Sequence, residues 1–313
     1  ALDPGLRAPL AWELGAPVPD SKTCGESAEP AAFVADRQKR RDLICQGMKA
    51  FKSMGGDEIE DRHESGCDLP EECLYALSDQ LPVAMHRLCF TGHYWYDLRD
   101  RGVLKDSDLV AAFQSYRQVL QVLTFQSAAA RGEKEAAGDN WVLKCPIHIM
   151  MIRQLAAVFP DAKLVWAHRH PQPAVSSMCS LVQALGDVFF ETNGHEALDM
   201  GPTAIASAER SLVQVVSDIQ ETGLQCEHVL YENLVKDPLG VVRTLYSQLE
   251  RGSEEEGQEG AARVPSRGLR SGHCGLQPGQ VRRLHYEIRH HLQRINNASL
   301  IGSVNTVYAC SLC

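Results

Sequence analysis

Apolar residues recur at helical spacing from Asp106 to Leu123, where Leu109, Val110, Phe113, Tyr116, Leu120 and Leu123 share one face. A stripe of that kind predicts an amphipathic helix that buries one side. A second helix is expected over 31–54, with Phe33, Val34, Leu43, Ile44 and Met48 turned inward. Two more follow further on. Pro171 and Pro173 precede Val175, Met178, Val182 and Leu185 on one face, and Pro202 to Thr222 carries Ile205, Leu212, Val215, Val216 and Ile219. A final helix is expected from Pro278 to Ile295. Pro70, with Glu71 and Glu72 behind it, suits the first turn of a further helix, where negative charge meets the positive end of the dipole.

Three short apolar runs read as strands: Trp141-Val142-Leu143, Lys163-Leu164-Val165-Trp166-Ala167 and Glu227-His228-Val229-Leu230-Tyr231. Each is followed by a turn or Pro and then by helical periodicity. That alternation predicts an α/β protein built on a mostly parallel sheet. Residues 251–268 are rich in Gly and Glu without apolar periodicity, the pattern of a mobile surface loop. The tail after Asn296 reads as irregular. The organisation expected is one domain over 1–295 followed by a tail, 296–313, with no internal repeat.

Composition narrows the function. The chain has 313 residues and a formal net charge of −9, which argues against a nucleic-acid binder with its basic surface. An anionic ligand stays open, because a few Arg and Lys residues make a local positive pocket. Eleven cysteines without regular spacing do not suggest a disulfide framework in a chain this long, and most are expected as thiols. Cys310 and Cys313 lack two further ligands at zinc spacing, so no metal is expected. No run reaches the ~18 apolar residues of a membrane span. The sequence does not fix a compartment or an oligomeric state.

Ligands of open parallel sheets bind beyond the carboxyl ends of the strands. The first strand runs into Lys144-Cys145-Pro146-Ile147-His148 and the second into His168-Arg169-His170-Pro171. Both deliver cations and imidazoles to the same edge, which suits group transfer from a phosphate- or sulfate-bearing donor. Arg169 offers a planar fork of donors for phosphate, and Ser176 and Ser177 lie early in the following helix. A strand-end Arg paired with a carboxylate, beside two capping serines, is the competing reading. His148 has the intrinsic proton affinity of a general base near neutrality, or it bonds a loop carbonyl. His290-His291 reads as a solvated face, Glu71 and Glu72 as helix-start charges with a catalytic role as the lesser alternative, and Asn297-Ala298-Ser299 as a glycosylation-type tripeptide of a kind that arises by chance.

These segments resemble the sulfotransferase superfamily, in particular its members with a Leu-Lys-x-Pro-x-His segment. Trp141 to His148 resembles the central strand and active-site turn of that group, and Phe159 to Arg169 resembles its next strand. Arg7 to Leu14, Leu69 to Cys73, and Tyr231 to Leu234 with Asp237-Pro238 agree more loosely. The resemblance implies a three-layer α/β/α fold of P-loop NTPase-like topology and 3′-phosphoadenosine 5′-phosphosulfate (PAPS) as sulfuryl donor. It implies that Arg169 and Ser177, eight positions apart, hold the donor's 3′-phosphate, with Arg267-Gly268 as a third contact. It further implies Lys144 as the residue that meets developing negative charge and His148 as the base. The acceptor would be a hydroxyl or amine of a small molecule or carbohydrate, with Tyr94, Trp95 and Tyr96 either stacking on it or simply packing.

The family's opening strand and its Gly-, Ser- and Thr-containing loop, which holds the 5′-phosphosulfate, are expected ahead of the Trp12 segment, and the sequence starts at Ala1. The expectation is therefore an N-terminally truncated sheet without its central strand. Two rivals follow: a non-catalytic remnant acting as a binding protein, and a P-loop kinase, which shares the fold but has no use for the Arg169–Ser177 spacing.

Overall fold

The computed structural model describes residues 6–20, 30–56, 59, 62–78, 93–131, 140–189, 200–250 and 306–311. Five parallel strands form the sheet: β1 (Leu6–Arg7), β2 (Asn140–Lys144), β3 (Ala162–His168), β4 (Cys226–Leu230) and β5 (Thr306–Ser311). Their order is β1-β2-β5-β3-β4. In β2, Trp141 and Leu143 alternate into the core, whereas Leu164, Val165 and Trp166 of β3 are buried consecutively, as befits a strand covered on both faces.

The helices expected over 31–54, 106–123, from Pro171 and over 202–222 form, with shifted ends. The longest runs from Asp106 to Arg131. Its start is fixed by Asp108, whose carboxylate accepts the Lys105 N–H at 2.8 Å, and by acidic residues in the first turn. It packs on the Ile152–Val158 helix. The Met200–Thr222 helix packs on Ile152–Val158, on Pro171–Phe189 and on the Pro146–Met150 turn. Gly223 stops it at φ 67° and donates its N–H to the Ile219 carbonyl at 2.9 Å, a left-handed helix end that a side chain would strain. Leu109, Phe113, Tyr116, Leu143, Leu155 and Met151 are fully enclosed in the resulting core.

Three expectations are corrected. The tail is not wholly irregular: β5 comes from it and occupies the middle of the sheet, pairing Val142–Lys144 of β2 on one side and Ala162–Ala167 of β3 on the other. The central position of the sheet is therefore filled, from the far end of the chain. The helix at 31–54 is Pro30–Phe51, continued by a π turn, Lys52–Gly56, that kinks at Gly55. Val34 and Leu43 are exposed on it, and Asp36 and Arg40 are buried instead. Arg40 reaches Asp36 at 2.8 Å, the Ala16 carbonyl at 2.7 Å and Gln126 at 2.6 Å. A satisfied polar network thus docks this helix where an apolar stripe was expected.

Pro70–Glu72 is not a helix start, since the next helix is Leu74–Ser78. Residues 67–73 instead form an extended strap. Its Leu69 and Cys67 carbonyls accept the Ala11 and Trp12 N–H groups at 3.0 and 3.1 Å. Glu71 N–H reaches the Pro9 carbonyl at 3.0 Å, and Cys73 N–H reaches the Lys144 carbonyl at 3.1 Å. These partners lie far along the chain, and their bonds replace those a local helix would have made. The cysteines agree with the expectation that most are thiols: Cys73, Cys145, Cys179 and Cys226 are thiols, and Cys45 and Cys67 are joined in a disulfide across 22 positions. Closing a loop of that size contributes roughly 3 kcal/mol and ties the strap to the Pro30–Phe51 helix. The expected loop 251–268, the Pro278–Ile295 helix, His290-His291 and Asn297-Ala298-Ser299 lie outside the described residues.

Candidate functional site

The carboxyl ends of β2, β3 and β4 gather the polar side chains. Lys144 closes β2, and its ammonium bonds the carboxylate of Glu72, which the strap brings in. Glu72 is only 9% exposed, and His63 Nε2 lies 3.5 Å from the same oxygen. Burial alone would push the Glu72 carboxyl up. The His63 hydrogen bond and the Lys144 charge together outweigh it and hold Glu72 below its ordinary value. Its neighbour Glu71 shifts the other way. Burial raises it, and the nearby Glu72 charge adds to that. Among the described residues the Glu71 carboxylate has no ion-pair partner, and it accepts the Glu72 N–H at 2.8 Å.

Below this layer the chemistry is inert. Cys73 and Cys145 are fully enclosed, and burial drives the Cys73 thiol to about 12 and the Cys145 thiol well above its usual value. Neither is available as a thiolate nucleophile. His148 sits in the turn Pro146–Met150 with 0% exposure, its ring 5.9 Å from that of Phe113. Desolvation lowers its pKa to about 3, so the imidazole is neutral in the folded protein.

On β3, Arg169 follows the last strand residue and is half-buried, its guanidinium 4.6 Å above the ring of Tyr231 at the end of β4. Among the described residues the cation meets an aromatic face and no carboxylate. His170 opens the next helix by accepting the Gln172 N–H on Nδ1 at 3.3 Å. In that helix, Pro171–Phe189, Ser176 and Ser177 are half-buried in the second turn. His168 Nε2 and His228 Nδ1 are 2.7 Å apart, with Trp166 stacked on His168 at 4.8 Å. Burial first, and then the neighbouring His228, lower His168 to about 4.

Just ahead of the strap, Arg62 donates to Ser180 in the Pro171–Phe189 helix at 3.0 Å, and His63 lies against Glu72, which bonds Lys144 at the end of β2. Arg62 and His63 were not legible as site residues, because only the folded chain brings them to these partners. Of the aromatic residues weighed for the acceptor, Trp95 is buried and Tyr96 is engaged by Ser211 at 2.5 Å and by the Arg210 guanidinium at 4.2 Å, which favours packing. The side chain of Tyr94, and Arg267 with Gly268, lie outside the described residues. No helix among the described residues is long and apolar enough to cross a membrane.

Parallel strands that end in an Arg and a Lys, with helices starting just beyond them, define an α/β protein equipped to bind an anion at its sheet edge. The chain belongs to the sulfotransferase family, whose sequence model matches residues 16–255. That span holds Lys144, His148, Arg169 and Ser177, and excludes Arg267-Gly268 and β5. No curated protein matches the chain, and no solved structure does.

Proposed function

We propose that the protein transfers a sulfuryl group from PAPS to a hydroxyl or amine of a small-molecule or carbohydrate acceptor, using a single sulfotransferase-like domain of P-loop NTPase-like topology that covers residues 1–295 and takes in β5 from the tail. The observation that carries this reading is Arg169, held over the Tyr231 ring at the carboxyl end of β3 within the family match. A guanidinium fixed in this way presents its N–H fork to a phosphate at little cost in ordering. Ser177, eight positions on in the adjoining helix, supplies a hydroxyl to the same 3′-phosphate, and Arg267-Gly268 is the proposed third contact. Lys144 meets the charge that develops on the transferring and leaving oxygens.

His148 is assigned a different part from the one its motif implies. An enclosed imidazole with so low a proton affinity holds the shape of the Lys144 turn, and the acceptor's proton goes elsewhere.

The test is equilibrium binding of 3′-phosphoadenosine 5′-phosphate. Arg169→Ala is expected to weaken it about 30- to 100-fold, the loss of one charge-assisted fork of about 2–3 kcal/mol. Ser177→Ala is expected to weaken it about fivefold. Unchanged affinity in Arg169→Ala, with an unchanged thermal midpoint, refutes the site.

A further inference from the structure

Four ionisable side chains converge where the strap crosses the end of β2, and they are not equivalent. Lys144 and His63 both engage Glu72, which leaves that carboxylate neutralised and poor at taking a proton. Glu71 is the one carboxylate of the group without an ion-pair partner among the described residues. Its backbone is pinned at both ends of the peptide: its own N–H on the Pro9 carbonyl at 3.0 Å, and the following N–H, of Glu72, on its Oε1 at 2.8 Å. The other carboxylate oxygen, Oε2, has no hydrogen-bond partner among the described residues, on a half-buried side chain whose position is set by a strap rather than a free loop.

We infer that Glu71 is the catalytic base of the transfer reaction, a role that rests on the sulfotransferase reading. In the step it performs, the acceptor oxygen or nitrogen forms its bond to sulfur while the bond from sulfur to the bridging oxygen of the donor breaks. The electron pair of the broken bond leaves on the 5′-phosphate of 3′-phosphoadenosine 5′-phosphate. The acceptor's proton passes to Glu71 Oε2, and the ammonium of Lys144 faces the charge gathering on the leaving oxygens. Glu72 and His63 act through Lys144, as positioning residues.

Burial lifts the Glu71 carboxyl above its ordinary value, which makes its carboxylate a stronger base than a free one. The charged and titratable groups around it are Glu72, His63 and Lys144. The Glu72 charge adds to the rise, and the bond from the Glu72 N–H, His63 and Lys144 oppose it.

The test uses the full chain with PAPS and a panel of one phenol, one sugar and one primary amine, reading the release of 3′-phosphoadenosine 5′-phosphate. Glu71→Gln is expected to lower kcat by about 100-fold or more. Donor binding and the thermal midpoint should be retained, and the acidic limb of the kcat/KM profile should vanish. Glu71→Asp should recover part of the rate. Turnover of Glu71→Gln within twofold of wild type, the same acidic limb in both, or a wild type that binds donor yet transfers to nothing on the panel overturns the assignment. Failure of the wild type to bind donor at all overturns the parent reading instead, so the two failures are told apart.

Discussion

A chain ending at residue 305 is expected to lose the cooperative unfolding transition of the full 313-residue protein. The lost segment is β5, which lies between β2 and β3 rather than at an edge. Its removal strips partners from Val142, Leu143 and Lys144 on one side and from Ala162 through Ala167 on the other. The flanking side chains Leu143, Leu164, Val165 and Trp166 are buried, so water cannot substitute for the lost hydrogen bonds without flooding the core. Each buried backbone group left unmade costs about 1–3 kcal/mol. A handful of them exceeds the about 5–15 kcal/mol that a domain has in reserve. Urea titration followed by circular dichroism should show a broad, non-cooperative loss of signal for the shortened chain. A midpoint and slope equal to those of the full chain would contradict the central placement of β5.

Acid should destabilise the protein well before its carboxylates titrate. His148 has its pKa lowered to about 3 and His168 to about 4, and burial lowers His228 as well. Unfolded, each binds a proton near pH 6.5. Between that value and the folded pKa the unfolded chain therefore holds more protons than the native one, and stability falls as pH falls. The slope is about 1.4 kcal/mol per pH unit for each fully buried group. Two such groups give a loss of about 4 kcal/mol between pH 7 and 5, reduced by the partial exposure of His168. Glu72, held low, adds to the loss further down. Glu71, held high, stabilises the folded state as it protonates and offsets a little of it. Urea midpoints at the two pH values measure the effect, and His148→Leu should roughly halve the slope. Midpoints independent of pH would mean that the imidazole is not enclosed.

How much of this was legible in the sequence depends on whether local pattern or distant partners decide each element. The Met200–Thr222 helix and strands β2 to β4 carry their own periodicity and form within two residues of the expected bounds, and the Asp106–Arg131 helix starts where expected but runs eight residues past Leu123. The strand at Thr306–Ser311 does not announce itself. Six residues ending in Ala-Cys-Ser become a central strand only because β2 and β3 leave hydrogen-bonding edges on both sides, and no local pattern carries that information. The buried Asp36–Arg40 pair escaped for a related reason, since a helix docked through a polar network carries no apolar stripe on that face. At the site, Lys144 and Arg169 were legible from the strand ends. The motif that flagged His148 gives a position in sequence but not a depth, and the folded turn encloses it. Glu71 and Glu72 read first as helix-start charges, until the strap, stitched to residues 9–12 and to Lys144, sets them at the end of β2.

The central claim is that the sheet edge around Arg169 grips the ribose phosphate of a phosphosulfate donor. The most direct measurement is a titration of the full chain with 3′-phosphoadenosine 5′-phosphate, with ATP as competitor. Saturable binding that an equal concentration of ATP fails to displace is the predicted result, because only the former places a phosphate on the 3′ position. Binding that ATP displaces equally well, or no binding of either, would contradict the account.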